Sequence, residues 1–93
     1  MSLEEKIIKL CSPGKVLKTK TRLRFFSSVD VGSRSQNRDP GIYIIKRSEI
    51  VTNQNMVCIT LNDGWVLKFI PVDFSGMFCR ESEINEHIEI LGN

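Results

Sequence analysis

Four cations at every second position, Lys18, Lys20, Arg22 and Arg24, make the sharpest chemical pattern in the chain. Alternate residues of an extended strand share one face about 6.6 Å apart, a spacing that suits successive phosphates of an extended nucleic-acid strand. Arg34 and Arg38 follow in a polar stretch, and Lys46 and Arg47 end a later apolar run. Tyr43, Phe26 and Phe74 supply candidate stacking surfaces beside such a ladder. The chemistry implied is binding without turnover. Lys18, Lys20, Arg22 and Arg24 would hold phosphates or carboxylates, Arg34 and Arg38 would close over the ligand, and Tyr43 and Arg47 would border it. Single-stranded nucleic acid is the first expected ligand; a nucleotide or an acidic protein surface would use the same charges.

Two plainer roles fit the same residues. On a solvated strand face each neighbouring like-charge pair costs about 0.6 kcal/mol in bulk water, and a domain stable by about 5–15 kcal/mol tolerates three such pairs. Alternatively the ladder pairs with Glu81, Glu83, Glu86 and Glu89. Charge is split along the chain. Residues 1–47 carry eleven Lys/Arg against four Asp/Glu, a net of +7, and residues 48–93 carry two against seven, a net of −5. Such a division fits either an anionic partner for the basic half or pairing between the halves.

Other reactive side chains are sparse. His87 is the single histidine, and Cys79 and His87 would act as nucleophile and base only if the fold joined them. Cys11, Cys58, Cys79 and His87 lack metal-ligand spacing. Gly14, Gly32 and Gly41 are too scattered to form a phosphate loop. The expectation is a non-enzymatic protein with no cofactor and no metal. Three cysteines without a CxxC pair favour free thiols in a reducing compartment, so the expected location is the cytoplasm. No apolar run is long enough to span a membrane, and the acid-first amino terminus does not resemble a signal peptide.

The elements that must position these groups follow from periodicity. Ser2 to Glu5 reads as a capping box, and Leu3, Ile7, Ile8, Leu10 and Cys11 fall on one side of a short helix that Ser12-Pro13-Gly14 stops. Residues 15–26 read as one strand, with Leu17, Thr19, Thr21, Leu23 and Phe25 opposite the cations. Residues 27–40 are polar and aperiodic and read as a long loop, closed by Asp39-Pro40-Gly41. Residues 41–47 form a second strand, apolar on both faces and so expected to be central or covered. Thr52 to Asn55 is a turn, and 56–70 is a hairpin.

That hairpin organises the chain. A two-residue loop would set Ile59 opposite Lys68. A three-residue loop, Asn62-Asp63-Gly64, sets Leu61 opposite Trp65, Ile59 opposite Leu67 and Val57 opposite Phe69, so that six large apolar side chains share one face. Trp65 and Phe69 thus read as core rather than as a ligand platform. On the reverse face Met56, Val66 and Ile70 would offer an apolar patch to a protein partner if nothing covered them. Pro71 ends the strand, and Phe74, Met77 and Phe78 lie around a Ser75-Gly76 turn. A helical turn at 82–86 and a closing strand at 87–91 complete the reading.

The 93 residues therefore form one small, mainly β domain, expected as a five-stranded antiparallel SH3-like barrel with an amino-terminal helix, an OB-like barrel being the alternative. The competing function is a protein–protein interaction module, such as a small inhibitor or adaptor of a host protein, that works through a strand edge or the Val66/Ile70 face.

Overall fold

The structure, a computed structural model, describes residues 3–30, 32–51, 56–69 and 81–92. The elements are α1 (Leu3–Leu10), β1 (Val16–Thr19), β2 (Leu23–Phe26), β3 (Ser35–Arg38), β4 (Ile42–Val51), β5 (Met56–Leu61), β6 (Val66–Phe69), α2 (Glu81–His87) and β7 (Ile88–Gly92). The seven strands form one antiparallel sheet in the order β3-β2-β6-β5-β4-β1-β7. Among the described residues the sheet does not close, and β3 and β7 are its edges.

The β5–β6 hairpin has the register that its apolar rows demand. Val57 pairs with Phe69 and Ile59 with Leu67. The Leu61 amide donates to the Trp65 carbonyl at 2.9 Å, leaving the three-residue loop, and Gly64 takes a φ of 90° that a side chain would oppose. Val57, Ile59, Leu61, Leu67 and Phe69 are all buried in the main core, with Trp65 packed against them. Ile7 of α1, Cys11 just after it, Leu17, Phe25, Ile45, Ile84 and Ile88 complete that core. The short helix is therefore held by its apolar stripe, as a helix of this length must be.

The strand expected over residues 15–26 is two strands. Burial still alternates along it: Leu17, Thr19 and Phe25 are buried, and Lys18, Lys20, Arg22 and Arg24 are exposed. The chain direction nevertheless changes at residues 20–22. β1 pairs with β4 and β7, whereas β2 pairs with β6 and β3. β4 and β6 lie on opposite sides of β5, and neighbouring strands stand about 4.8 Å apart, so one straight strand cannot reach both. The corner is fastened to the end of α2. The Lys20 amide donates to the His87 carbonyl (2.7 Å), Lys20 Nζ to the Asn85 carbonyl (2.5 Å), and the Thr21 hydroxyl bonds His87 Nδ1 (2.7 Å). The last carbonyls of a helix lack partners within it and attract cations.

Three further corrections apply. The stretch 27–40 is not all loop, because β3 pairs along its whole length with β2. β4 runs on to Val51 rather than ending near 47, with a register shift between Ile45 and Arg47. β4 is central, between β5 and β1, but its outer face is not covered: Ile42 and Ile44 are 64% and 48% exposed. The barrel of five strands is thus replaced by an open sheet of seven, since the bend and β3 each add a strand. The carboxy-terminal expectation holds: a helix at Glu81–His87 runs directly into the strand Ile88–Gly92. Residues 52–55 and 70–80, which carry the expected turn, Ile70, Phe74 and Cys79, lie outside the described residues.

The reverse face of the hairpin is not open. Met56, Cys58 and Val66 are buried there in a second cluster with Phe26, Val29 and Val51. Lys68 is buried beside them at 6% exposure. Its ammonium sits 4.5 Å from the Phe26 ring centre and donates to the Asp30 carbonyl (3.0 Å) and to Ser33 Oγ (3.4 Å). The buried cation ties the segment after β2 across β6, so the patch expected of Met56 and Val66 is covered.

Candidate functional site

The eight residues expected to bind an anion do not gather into one site. Lys18 stands on the outer face of β1, opposite Ile42 of β4 and Glu89 of β7. Lys20 is engaged with α2 as described. Arg22, in the corner, pairs with Asp39 at 3.2 Å, both side chains being well exposed. Arg24 faces out from β2, opposite Asn37. Arg34 is exposed just before β3. Arg47 lies 3.7 Å from Glu49, a loose surface pair of little energetic weight. Among the described residues, only Lys18, Arg24 and Arg34 of the expected cations have neither a carboxylate nor a carbonyl partner. The even comb of charges is bent at its middle and partly neutralised by the chain's own acids.

Arg38 and Tyr43 belong to a different arrangement. Arg38 comes from β3, yet its guanidinium carbon lies 5.0 Å from the centre of the Phe25 ring and 4.9 Å from that of Trp65. Phe25 in turn packs on Tyr43, with ring centres 5.2 Å apart and planes tilted by 49°. Arg38 Nη1 donates to Asp63 Oδ2 at 2.6 Å. With the Gln36 amide oxygen turned toward it, Arg38 also donates from Nε (2.7 Å) and Nη2 (2.9 Å) to that oxygen. Partial burial works against the guanidinium charge, but hydrogen bonds and charge from Asp63 and Tyr43 outweigh it and hold the group above its ordinary value. For Asp63, partial burial pushes the carboxyl up. The hydrogen bonds from Arg38 and the Trp65 amide, with the Arg38 charge, outweigh this and set it below the usual carboxylate range. Sequence reasoning placed Asp63 in the turn, and its Oδ1 does accept from the Trp65 amide at 3.0 Å. Its second oxygen, which fixes Arg38, had no signal in the sequence.

A second surface lies on the outer side of β4, β1 and β7. Lys18 pairs with Ile42 on one side and Glu89 on the other, and Val16 with Ile44 and Gly92. Leu91, one pleat from Glu89, is 47% exposed. Ile42 and Ile44 therefore open onto one face with Lys18 and Glu89, and Leu91 is exposed beside it at the register shift between β1 and β7.

Among the described residues, Cys11 and Cys58 are free and buried. Burial pushes the Cys58 thiol up to about 11 and the Cys11 thiol up to about 12, so both stay protonated near neutrality and are poor nucleophiles. Among the described residues no group of three His, Cys, Asp or Glu side chains could hold a metal ion, and no helix is long and apolar enough to cross a membrane. Neither a family profile, nor a curated protein, nor a solved structure matches the chain.

Proposed function

We propose that the chain is a non-enzymatic protein-interaction module whose contact face is the outer side of β4, β1 and β7. The observation that carries this reading is the exposure of Ile42 and Ile44 on β4 and of Leu91 on β7, the two strands that flank β1. Exposed apolar side chains taken singly are ordinary, but a contiguous set on one sheet face favours a partner. Complete burial of one isoleucine is worth about 1.5–3 kcal/mol, so covering two half-exposed ones and a leucine supplies a useful fraction of a binding energy. Lys18 and Glu89 on the same face would set orientation more than affinity. The bent β1–β2 segment, whose halves pair with β4 and with β6, supports reading the open sheet as one curled toward a small SH3-like barrel, with an OB-like one as the alternative. The buried, protonated thiols suit a reducing compartment such as the cytoplasm.

A reduced anion surface is the second reading, favoured by Lys18, Arg24 and Arg34, which meet no carboxylate among the described residues. Photo-crosslinking separates the two. A benzoylphenylalanine at position 42 or 44 should capture a protein from an extract of the source cell, and one at position 24 should not. An Ile42→Asp/Ile44→Asp pair should lose that partner while keeping its melting temperature. A nucleic-acid adduct at position 24, weakened steeply by salt, with no protein adduct at 42 or 44, would reverse the assignment.

A further inference from the structure

We infer that Phe25, Tyr43, Trp65 and Asp63 form a guanidinium-recognition site, which the chain's own Arg38 occupies and which an arginine side chain of a partner polypeptide can take over. The parts are those that bind such a cation. Two aromatic rings lie within 5.0 Å of the guanidinium carbon, inside the range over which ring quadrupoles attract cations. Asp63 accepts from one end of the planar group, as carboxylates do for arginine. This site is separate from the proposed protein-contact face, because β4 turns Tyr43 inward and Ile42 and Ile44 outward.

The present occupant is held by a removable element. β3 is an edge strand of four residues, of which Ser35, Gln36 and Asn37 are exposed. It inserts no apolar side chain into either core cluster. Among the described residues β3 itself is held by backbone pairing with β2 and by Arg38, while Lys68 holds Ser33 two residues before it. Gln36, which also bonds the guanidinium, would leave with it, whereas Asp63 and the rings belong to β2, β4 and the β5–β6 turn and would stay. An occupant tethered in this way competes at an effective concentration on the order of millimolar, so the site is closed by default and opens to a partner that supplies an arginine.

Trp65 is the only tryptophan of the chain, so its emission reports on the site without interference. Full-length Arg38→Ala, shown to be folded by circular dichroism, should bind N-acetyl-arginine amide with a saturable change in Trp65 emission. The neutral isostere N-acetyl-citrulline amide should give none. The wild type should need about 10-fold more ligand, because Arg38 competes, and adding Asp63→Asn to Arg38→Ala should abolish the response. A folded Arg38→Ala whose emission does not titrate, or that answers arginine and citrulline alike, overturns the proposal. So does equal affinity in wild type and variant, which would exclude Arg38 as the occupant. Should Arg38→Ala not fold, Arg38→Gln takes its place. If neither folds, the guanidinium is structural and not exchangeable, and the proposal fails.

Discussion

Two of the hairpins, β5–β6 and β2–β3, are held by opposite means. In β5–β6 every second side chain on one face is apolar and buried, and the reverse face is buried as well. In β2–β3 one strand contributes Phe25 to the core, and the other contributes only Arg38, seated among rings and on Asp63. The first is fixed by area removed from water, a non-directional force spread over many contacts. The second is fixed by backbone pairing and by two cations: Arg38, on the rings and Asp63, and Lys68, on the connecting loop, each in one geometry. A hairpin of the first kind fails only with the whole domain, whereas one of the second kind can detach alone.

The largest effect should come from the first hairpin. Phe69→Ala removes a side chain that is 1% exposed and faces Val57. Loss of a buried phenylalanine costs about 3–5 kcal/mol, a large share of the stability of a domain this small. Urea unfolding should show that loss. Hydrogen exchange should accelerate together in β4, β5, β6 and β1, since the core they share opens as a unit. Acceleration confined to β6 would mean that the hairpin is not the common core.

Arg38→Ala should contrast with it. Two ring contacts at about 0.5–1 kcal/mol each and a half-exposed ion pair worth up to about 1 kcal/mol sum to roughly 1–3 kcal/mol. Exchange should accelerate at the amides of residues 35–38 and their β2 partners, while β5 and β6 remain protected. If β5 and β6 lose protection in step with β3, the two hairpins are one cooperative unit and the contrast between them fails.

How far the two hairpins were legible follows from the same difference. The β5–β6 register could be read because side chains alternate with period two, and a slip of one residue would have turned Ile59 and Leu67 to water. The closing helix and strand were legible only in part, because Ile84, Ile88 and Leu91 fit a helix while Ile88 and Ile90 fit a strand. β3 was not, because Ser35, Gln36 and Asn37 have no apolar rhythm and pair through backbone alone. The corner at Lys20-Thr21-Arg22 was hidden for another reason. In–out alternation continues through a bend, so Lys18 and Arg24 kept the pattern of one strand while joining different neighbours. The guanidinium site draws Phe25, Arg38, Tyr43, Asp63 and Trp65 from three strands and the β5–β6 turn, and only tertiary structure brings these together.

The smallest effect tests the electrostatic half of the contrast. Asp63 titrates below the usual carboxylate range in the folded chain, against about 3.9 when unfolded. A carboxyl whose value falls on folding stabilises the fold fully above its unfolded value and loses that contribution as pH falls through its folded value. Asp63→Asn keeps a side chain suited to the turn and an oxygen for the Trp65 amide, but removes the charge facing Arg38. Its stability should lie below wild type by no more than about 1 kcal/mol at pH 7, given the exposure of the pair. The gap should hold down to about pH 5 and close as pH falls below about 4. Salt at neutral pH should narrow it in the same way. Urea midpoints at pH 7 and pH 3 measure both ends. A gap unchanged at pH 3 would show that Asp63 acts through the turn rather than through Arg38, and would leave β3 held by the aromatic rings alone.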